Sequence, residues 1–196
     1  PGRVRTGRFG AVGTASAHPG PSRCPIRASL VHSRAANAHA HPETTHQVKR
    51  ILVTGAGGQI GSWLVPRLRE EYGASSVMAT DVRHLGPEVT EAGPFQVLDA
   101  TDAKAVGQAV MRHDADTVYH LAAILSAIGE RDPRLAWHVN MSSLEAVLEV
   151  AREQGCAVFT PSSIGAFGPD TPKDPTPQDT IMRPATIYGI TKVAGE

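Results

Sequence analysis

The sequence predicts an α/β protein in which helices cover both faces of a doubly wound parallel sheet. After residue 50, short apolar segments of strand length alternate with longer segments whose apolar residues recur at helical spacing. Strands that alternate with helices pair in parallel through right-handed crossovers. A glycine-rich turn follows the first strand, and polar residues follow several later ones. Ligands of doubly wound sheets bind at this carboxyl edge, so we expect the functional site there.

Five strands and four helices are predicted in chain order. The strands are short apolar and β-branched runs at 51–54, 77–80, 95–98, 117–121 and 157–160. The helices have apolar residues three and four positions apart, at 60–72, 102–113, 134–154 and from about 186 to the end. Pro66 is expected near the first turn of its helix, and 82–94 and 165–182 are predicted as loops rich in proline and glycine. The helix at 134–154 is expected to bury Leu135, Val139, Leu144, Val147, Leu148 and Ala151.

Composition excludes several classes of protein. The 196 residues are 41% hydrophobic, enough for a packed core. No run approaches the roughly 18 consecutive apolar residues of a membrane span. The formal net charge is zero, which gives no general attraction to nucleic acid. The cysteines, Cys24 and Cys156, are too few and too far apart for a disulfide scaffold or a zinc cluster. We therefore predict no membrane insertion, no nucleic-acid partner and no metal site.

Residues 1–47 differ in composition from the predicted globular domain at 48–196. The segment is rich in Arg, Ser, Ala, Gly, Pro and His, and it contains no acidic residue before Glu43. Such a segment cannot bury enough apolar surface to offset the entropy lost on ordering, so it is predicted to be a disordered tail. An Arg-rich, acid-poor leader is typical of a mitochondrial transit peptide, which predicts a location in the mitochondrial matrix. The alternative is a disordered tail that contains no targeting signal.

The turn after the first strand has the spacing of a dinucleotide-binding loop. Glycines at 55, 57, 58 and 61 separate the strand from the first helix. Without a β-carbon, the backbone turns tightly and approaches a pyrophosphate closely, and the helix N-terminus offers its N–H groups. The residues predicted to bind the cofactor here are Gly55, Ala56, Gly57, Gly58, Gln59, Ile60 and Gly61.

Acidic residues follow the second and third predicted strands. Asp81 lies about 20 residues after Gly61, where a carboxylate accepts hydrogen bonds from the adenosine ribose. A carboxylate repels a 2′-phosphate, so NAD is favoured over NADP, although Arg83 slightly weakens this preference. Val82 and Arg83 are included in the predicted cofactor site, as are Asp99 and Ala100. Asp99 either contacts the adenine or caps the helix that begins near residue 102.

Tyr188 and Lys192 form a Tyr-x-x-x-Lys pattern at the start of the last predicted helix. A spacing of four residues places both side chains on one face of a helix. A nearby ammonium favours the phenolate, so the tyrosine can exchange a proton near neutral pH. The pattern is common by itself, and it gains weight from the glycine loop upstream and from Ser162 and Ser163 after the fifth strand.

Together these motifs resemble the extended short-chain dehydrogenase/reductase family. The matching stretches are Thr-Gly-Ala-Gly-Gly-Gln-Ile-Gly at 54–61, His-Leu-Ala-Ala at 120–123, Asn140, Ser-Ser at 162–163 and Tyr-x-x-x-Lys at 188–192. The resemblance covers 51–196 and implies a Rossmann-type fold with NAD as cofactor. The stretches 120–130, 161–169 and 183–192 are most similar to L-threonine 3-dehydrogenases of the mitochondrial animal type. Relatives acting on nucleotide sugars usually have Val-Tyr-Gly where this chain has Ala-Phe-Gly, at 166–168.

The resemblance implies a role for each matched residue. Tyr188 would be the general base that takes the hydroxyl proton of L-threonine, and Lys192 would hold the nicotinamide ribose. Ser163 would bind the reacting oxygen with support from Ser162, and Ser126 would line the substrate pocket. The cofactor site would also include Leu121, Ala122, Ala123, Asn140, Tyr188 and Lys192. The implied reaction is the NAD-dependent oxidation of L-threonine to 2-amino-3-oxobutyrate.

The resemblance also bears on the extent of the protein. The family continues beyond the last predicted helix with a small substrate-binding domain, so we expect this chain to be an incomplete, C-terminally truncated part of its parent protein. A homodimer is expected for the full-length form, because the last helix belongs to the usual dimer interface. Two other functions stay open. One is a nucleotide-sugar epimerase or dehydratase of the same superfamily, and the other is a non-catalytic nucleotide-binding remnant.

Overall fold

The computed structural model describes residues 50–196, and the predicted tail and transit peptide at 1–47 lie outside the described residues. The described strands are β1 (Ile51–Thr54), β2 (Val77–Asp81), β3 (Phe95–Val97), β4 (Thr117–His120) and β5 (Ala157–Phe159). They form one parallel sheet in the order β3-β2-β1-β4-β5. The order reverses between β1 and β4, which confirms the predicted doubly wound sheet.

The strand register brings the carboxyl ends of the central strands together. Thr54, the last residue of β1, pairs with Thr80 on β2 and with His120 on β4. The chain segments that leave these three strands therefore start side by side on one edge of the sheet. This edge carries most of the residues that the sequence predicted to be functional.

Six α-helices lie within residues 50–196: α1 (Gly61–Tyr72), α2 (Pro87–Thr90), α3 (Ala103–His113), α4 (Ser126–Gly129), α5 (Pro133–Gln154) and α6 (Ile187–Gly195). Helix α1 packs on the sheet face that carries Ile51 and Val53. Helices α3 and α5 cover the opposite face, against Leu52 and Val118. Successive strand residues point to opposite faces, so the continuous apolar run of β1 is buried on both sides. None of these helices is long and apolar enough to cross a membrane.

Three local features differ from the prediction. The predicted loop 82–94 contains α2, which begins at Pro87, where the fixed φ of proline suits a first helical position. The short helix α4 was not predicted, because one turn is too short to show a periodic pattern. Pro66 is inside α1, as its sixth residue rather than in its first turn. Since proline has no N–H, the carbonyl of Ser62 lacks its usual helical partner there.

The buried face of α5 is only partly the predicted one. Leu144, Val147 and Ala151 are buried as expected, but Leu135 and Leu148 are 42% and 47% exposed. The buried strip includes the small or polar residues Ala136, Asn140, Ser143 and Ala146. Because apolar residues occur on more than one side of α5, spacing alone could not decide which side faces the sheet.

Candidate active site

The glycine loop between β1 and α1 leaves no space for side chains at two positions. Gly55 has a φ of 69°, and a β-carbon there would lie 2.6 Å from the backbone nitrogen of Ala122. A β-carbon on Gly61 would lie 2.5 Å from the carbonyl oxygen of Gly55. The loop is therefore packed against the segment that follows β4 and against the first turn of α1.

The first turn of α1 carries no negative charge of its own. Among the described residues, no side chain caps its first turn, and that turn contains no acidic residue. The N–H groups of Ser62, Trp63 and Leu64 bond to the carbonyls of Gly58 and Ile60, and this end of the helix carries the positive end of its dipole. The N–H of Gly58 bonds to the carbonyl of Gly55 at 3.0 Å, which turns the loop back into the helix. This arrangement fits the pyrophosphate of a dinucleotide.

Asp81 ends β2 and lies against the glycine loop, 5% exposed. Its Oδ2 accepts the N–H of Gly57 at 2.9 Å, and its Oδ1 accepts the backbone N–H of Arg83 at 3.1 Å. The Arg83 guanidinium donates from Nε to Oδ1 of Asp81 and from Nη2 to the carbonyl oxygen of Gly57, both at 3.2 Å. Val82 between them is 64% exposed. Asp81, predicted to meet the adenosine ribose, thus forms one cluster with Arg83 and the loop.

The structure tests one of the two interpretations of Asp99, namely helix capping. The cap of α3 is Asp102, whose side chain accepts the N–H of Ala105 at 3.0 Å. Asp99 instead accepts the N–H and the hydroxyl of Thr101, at 2.9 and 2.8 Å, and is exposed after β3. Its neighbour Ala100 is buried in the core. Helix capping by Asp99 is therefore wrong, and the adenine contact stays a prediction.

His120 links three elements beneath the carboxyl edge. The residue is 4% exposed, with Nδ1 lying 2.9 Å from Oγ1 of Thr54 and Nε2 lying 3.3 Å from Oγ of Ser143. Burial, and secondarily the charge of Lys192, lowers the pKa of His120 to about 4. The neutral ring accepts a hydrogen bond at one nitrogen and donates at the other, which suits the two hydroxyls. His120 therefore ties β1, β4 and α5 together.

A cavity of about 260 Å³ opens at this edge, between the segments after β4 and β5 and helix α6. The structure brings six residues from the predicted site into its lining: Leu121, Ala122, Ala123, Asn140, Ser162 and Lys192. They come from four separate segments of the chain, so their meeting is a result of the fold. Among residues 50–196 no group of His, Cys, Asp and Glu side chains could hold a metal ion.

Lys192 and Tyr188 lie one turn apart on α6. Nζ of Lys192 is 5.6 Å from the centroid of the Tyr188 ring, so the two side chains share a helix face as predicted. Nζ also donates to the carbonyl oxygen of Pro161 at 2.9 Å, which ties α6 to the segment after β5. Burial lowers the pKa of Lys192. The half-buried ammonium therefore forms part of the cavity wall.

Ser163 and Tyr188 border the same glycine. A β-carbon on Gly165 would lie 3.3 Å from Cδ1 of Tyr188 and 3.5 Å from Oγ of Ser163. Oγ of Ser163 accepts the N–H of Gly165 at 3.1 Å, at the start of a short 3₁₀ turn, Ile164–Ala166. The serine and the tyrosine predicted to act on one oxygen thus lie close to each other. Ser162 is exposed and faces the cavity.

Asn140 holds the loop after β4 against α6. Its Oδ1 accepts the N–H of Ile124 at 2.7 Å, and its Nδ2 donates to the carbonyl of Ile124 at 3.1 Å. Nδ2 also donates to Oγ1 of Thr191 at 3.1 Å. Both amide protons are therefore used within the protein, although Asn140 was predicted to bind the cofactor. Ser126, predicted to line the substrate pocket, is exposed at the start of α4.

Sequence reasoning missed the polar residues that support the site from behind. Thr54 and Ser143 hold His120, and Thr191 holds Asn140. Glu130, at the end of α4, accepts the N–H of Ile187 at the N-terminus of α6, at 2.8 Å. Ser143 and Thr191 left a signal, since a polar residue on the buried face of a helix needs a hydrogen-bond partner.

Comparison with known proteins identifies the family. The model described as the NAD dependent epimerase/dehydratase family matches residues 51–196. The chain belongs to this family. An uncharacterized epimerase/dehydratase of Staphylococcus saprophyticus is 52% identical over 152 residues, which are 76% of this chain and 47% of the relative.

Two solved structures, one of a dehydrogenase and one of an epimerase, are similar to this chain. The L-threonine dehydrogenase of Clostridium difficile is 49% identical, with a TM-score of 0.74 over 76% of this chain and 47% of the other. The UDP-glucose 4-epimerase of Thermotoga maritima is 30% identical, with a TM-score of 0.68 over 74% of this chain and 48% of the other. The chain spans about half the length of these relatives.

Membership of the NAD dependent epimerase/dehydratase family confirms the Rossmann-type fold and NAD as the cofactor. The residues present fit this group: the crowded glycine loop, the N-terminus of α1 without an acidic residue, and the carboxylate of Asp81 lie where a dinucleotide fold binds pyrophosphate and ribose.

The predicted mitochondrial location is wrong. Curated relatives that match this chain are staphylococcal proteins, and bacteria have no mitochondria. The prediction depended on the Arg-rich, acid-poor composition of residues 1–47. The composition of a segment gives its charge, but it does not by itself specify a cellular location.

Proposed function

We propose that the protein to which this chain belongs oxidises L-threonine to 2-amino-3-oxobutyrate with NAD. The observation that carries the proposal is the clustering of Tyr188, Lys192 and Ser163 at the carboxyl edge of an NAD-binding fold. The substrate is supported by the higher identity to a threonine dehydrogenase than to a UDP-glucose epimerase over a similar share of the chain.

The side chains supply the proton chemistry of this oxidation. Tyr188, as the general base, takes the hydroxyl proton of L-threonine, and Nζ of Lys192 lies 5.6 Å from the centroid of its ring. The hydroxyl of Ser163 donates a hydrogen bond to the oxygen that becomes the ketone, which holds it beside Tyr188. The glycine loop and Asp81 would hold NAD, which would supply the hydride acceptor for the β-carbon of threonine. The loss of one proton and one hydride gives 2-amino-3-oxobutyrate.

A nucleotide-sugar epimerase or dehydratase is the second candidate. It is supported by the name of the family and by the likeness to the Thermotoga epimerase. The sequence Ala166-Phe167-Gly168 argues against it, because relatives acting on nucleotide sugars usually have Val-Tyr-Gly there. We infer as well that the full-length protein is a homodimer, and that its NAD-binding domain begins near residue 48.

The test measures NADH formation by the full-length protein with L-threonine and, separately, chromatographic conversion of UDP-glucose to its epimer or dehydration product, since neither of these conversions releases NADH. We expect turnover with L-threonine only. Tyr188→Phe should lower kcat by about 100-fold or more, because the base is lost, while NAD still binds. Tyr72→Phe, which removes the same hydroxyl at the end of α1, should keep full activity. Conversion of UDP-glucose without threonine would establish the epimerase, and NAD binding without turnover of either substrate would establish the remnant.

A further inference from the structure

Glu130 is an exposed acidic residue whose carboxylate reaches the start of a distant helix. Its Oε1 accepts the N–H of Ile187, the first residue of α6, at 2.8 Å. The two residues lie 57 positions apart in the chain. Among residues 50–196 the carboxylate of Glu130 forms no ion pair, so this hydrogen bond is the contact that occupies it.

Helix α6 does not need Glu130 in order to form. Thr186 already caps it, because its Oγ1 accepts the N–H of Gly189 at 3.0 Å. The N–H of Ile190 bonds to the carbonyl of Thr186 at 2.9 Å, which closes the first turn. Glu130 comes from outside this turn, so its hydrogen bond fixes the position of α6 against α4 rather than the helical conformation itself.

The residues before Glu130 form a compact turn, which makes this attachment rigid. The N–H of Glu130 bonds to the carbonyl of Ser126, the first residue of α4, at 2.9 Å. A β-carbon on Gly129 would lie 3.4 Å from Cγ2 of Ile187 and 4.0 Å from Cβ of Tyr188, so α4 packs directly against α6. The segment 126–130 therefore begins at the predicted substrate residue Ser126 and ends against the helix of the proposed base.

We propose that Glu130 is a positioning residue: it joins α4 to the first residue of α6 and thereby fixes Tyr188 with respect to the substrate. This inference rests on the proposed oxidation of L-threonine. Proton transfer requires the two oxygens within hydrogen-bond distance, and a displacement of about 1 Å slows it strongly. A shift of α6 would move Tyr188 relative to Ser163, which belongs to a different segment. Loss of the Glu130 hydrogen bond should therefore slow the chemical step.

Steady-state NADH formation by the full-length protein with L-threonine tests the kinetic effect. Glu130→Ala removes the acceptor and should lower kcat by about tenfold to 100-fold. Glu130→Gln keeps an acceptor oxygen and should retain kcat within about threefold of the wild-type value. Glu70→Ala removes another exposed carboxylate, which pairs with Arg67 on α1, and should keep full activity. All three variants should bind ADP with the wild-type affinity, because the glycine loop and Asp81 are unchanged.

A double substitution separates the positioning of Tyr188 from a general loss of structure. The base is absent in Tyr188→Phe, so adding Glu130→Ala to it should lower the residual kcat by less than about twofold. An equal loss in both backgrounds would show that Glu130 acts on the fold rather than through Tyr188, and it would overturn the proposal. Wild-type kcat in Glu130→Ala would also overturn it, as would a loss in Glu130→Gln as large as that in Glu130→Ala.

Amide hydrogen exchange gives a measurement that does not depend on the substrate. In Glu130→Ala the N–H groups of the first turn of α6, at 187–190, should exchange faster by about tenfold or more, whereas exchange in α3 should stay the same. If the wild-type protein does not oxidise L-threonine, the proposed function fails, and this measurement still decides whether Glu130 holds α6. Unchanged exchange at 187–190 would overturn the positioning role whatever the substrate is.

Discussion

Gly61 lies where the carbonyl oxygens of Gly55 and Ala56 leave no space for a side chain. A β-carbon there would be 2.5 and 2.6 Å from these oxygens. Gly61→Ala should therefore displace the loop, lower the free energy of unfolding by about 1–3 kcal/mol and weaken NAD binding. Urea unfolding and NAD titration measure the two effects.

Gly107, inside α3, is the matched control for this substitution. A β-carbon there would meet Nε2 of Gln154 at 3.5 Å and Cγ2 of Val150 at 3.6 Å, which are ordinary contacts. Alanine is favoured over glycine within a helix, so Gly107→Ala should raise the free energy of unfolding by about 0.5–1 kcal/mol and leave NAD binding unchanged. Equal losses in both variants would contradict the steric explanation.

His120 makes the stability of the domain depend on pH. Its pKa is about 4 in the folded protein and near the ordinary value of 6.5 when unfolded, so the unfolded chain binds the proton more readily. The stabilisation from the neutral ring is complete above pH 6.5 and is lost as the pH falls toward 4. The loss at pH 4 should be about 3 kcal/mol.

The variant His120→Gln should remove this part of the pH dependence. Urea unfolding at several pH values between 4 and 7 compares its slope with that of the wild-type protein, and all other titrating groups are common to both. His138→Gln, which changes an exposed histidine on α5, should keep the wild-type slope. A wild-type slope in His120→Gln would show that His120 does not titrate as described.

At the residue level, the sequence identified the groups that meet ligands but not those that hold them. The Gly55–Gly61 loop and the Tyr188–Lys192 pair have spacings with a direct chemical meaning. The hydrogen bonds of Thr54 and Asn140 join positions 66 and 51 residues apart in the chain. Such hydrogen bonds arise from the tertiary packing of distant segments, so no local sequence pattern could predict them.

Helix α6 is held in place by contacts from two other elements. Asn140 on α5 donates to Oγ1 of Thr191, and Glu130 after α4 accepts the N–H of Ile187. Thr186 caps the helix by accepting the N–H of Gly189 at 3.0 Å. Because α6 carries Tyr188, these contacts determine where the proposed base lies.

Asn140→Ala should loosen this helix. The change leaves the polar groups of Ile124 and the buried Thr191 without their partner, which should lower the free energy of unfolding by about 2–3 kcal/mol. Amide hydrogen exchange should become faster in α6 than in α3. Ser142→Ala, which removes an exposed hydrogen bond within α5, should change neither quantity noticeably. Unchanged exchange in α6 would show that Asn140 does not position this helix.

The elements themselves were predictable wherever they are long and periodic. Helix α3 spans Ala103–His113 and was predicted at 102–113, because its apolar face is a local signal, although its cap is Asp102 and not Asp99. Helices α2 and α4 were missed, since four residues show no period. The orientation of α5 was partly wrong, because the sheet accepts its small residues and leaves Leu148 outside.

At the scale of the whole molecule, the outer surface of α5 carries large apolar residues. Trp137 and Leu148 are 48% and 47% exposed. Eleven residues separate them, which is close to three helical turns, so they lie on the same side of α5. The sheet is already covered on both faces by α1, α3 and α5, so these side chains have no remaining role in the core. They support the proposed homodimer, and we expect α5 to contribute to its interface together with the last helix.

Leu148→Lys should convert the full-length dimer into a monomer, because a charged side chain would be buried without a partner between the two copies. Sedimentation velocity measures the change, and circular dichroism should show an unchanged fold, since position 148 is half exposed in one copy. Met111→Lys introduces the same charge at a 63% exposed apolar position on α3 and should leave the dimer intact. A dimer that survives Leu148→Lys and dissociates with Met111→Lys would place the interface at the exposed surface of α3 instead.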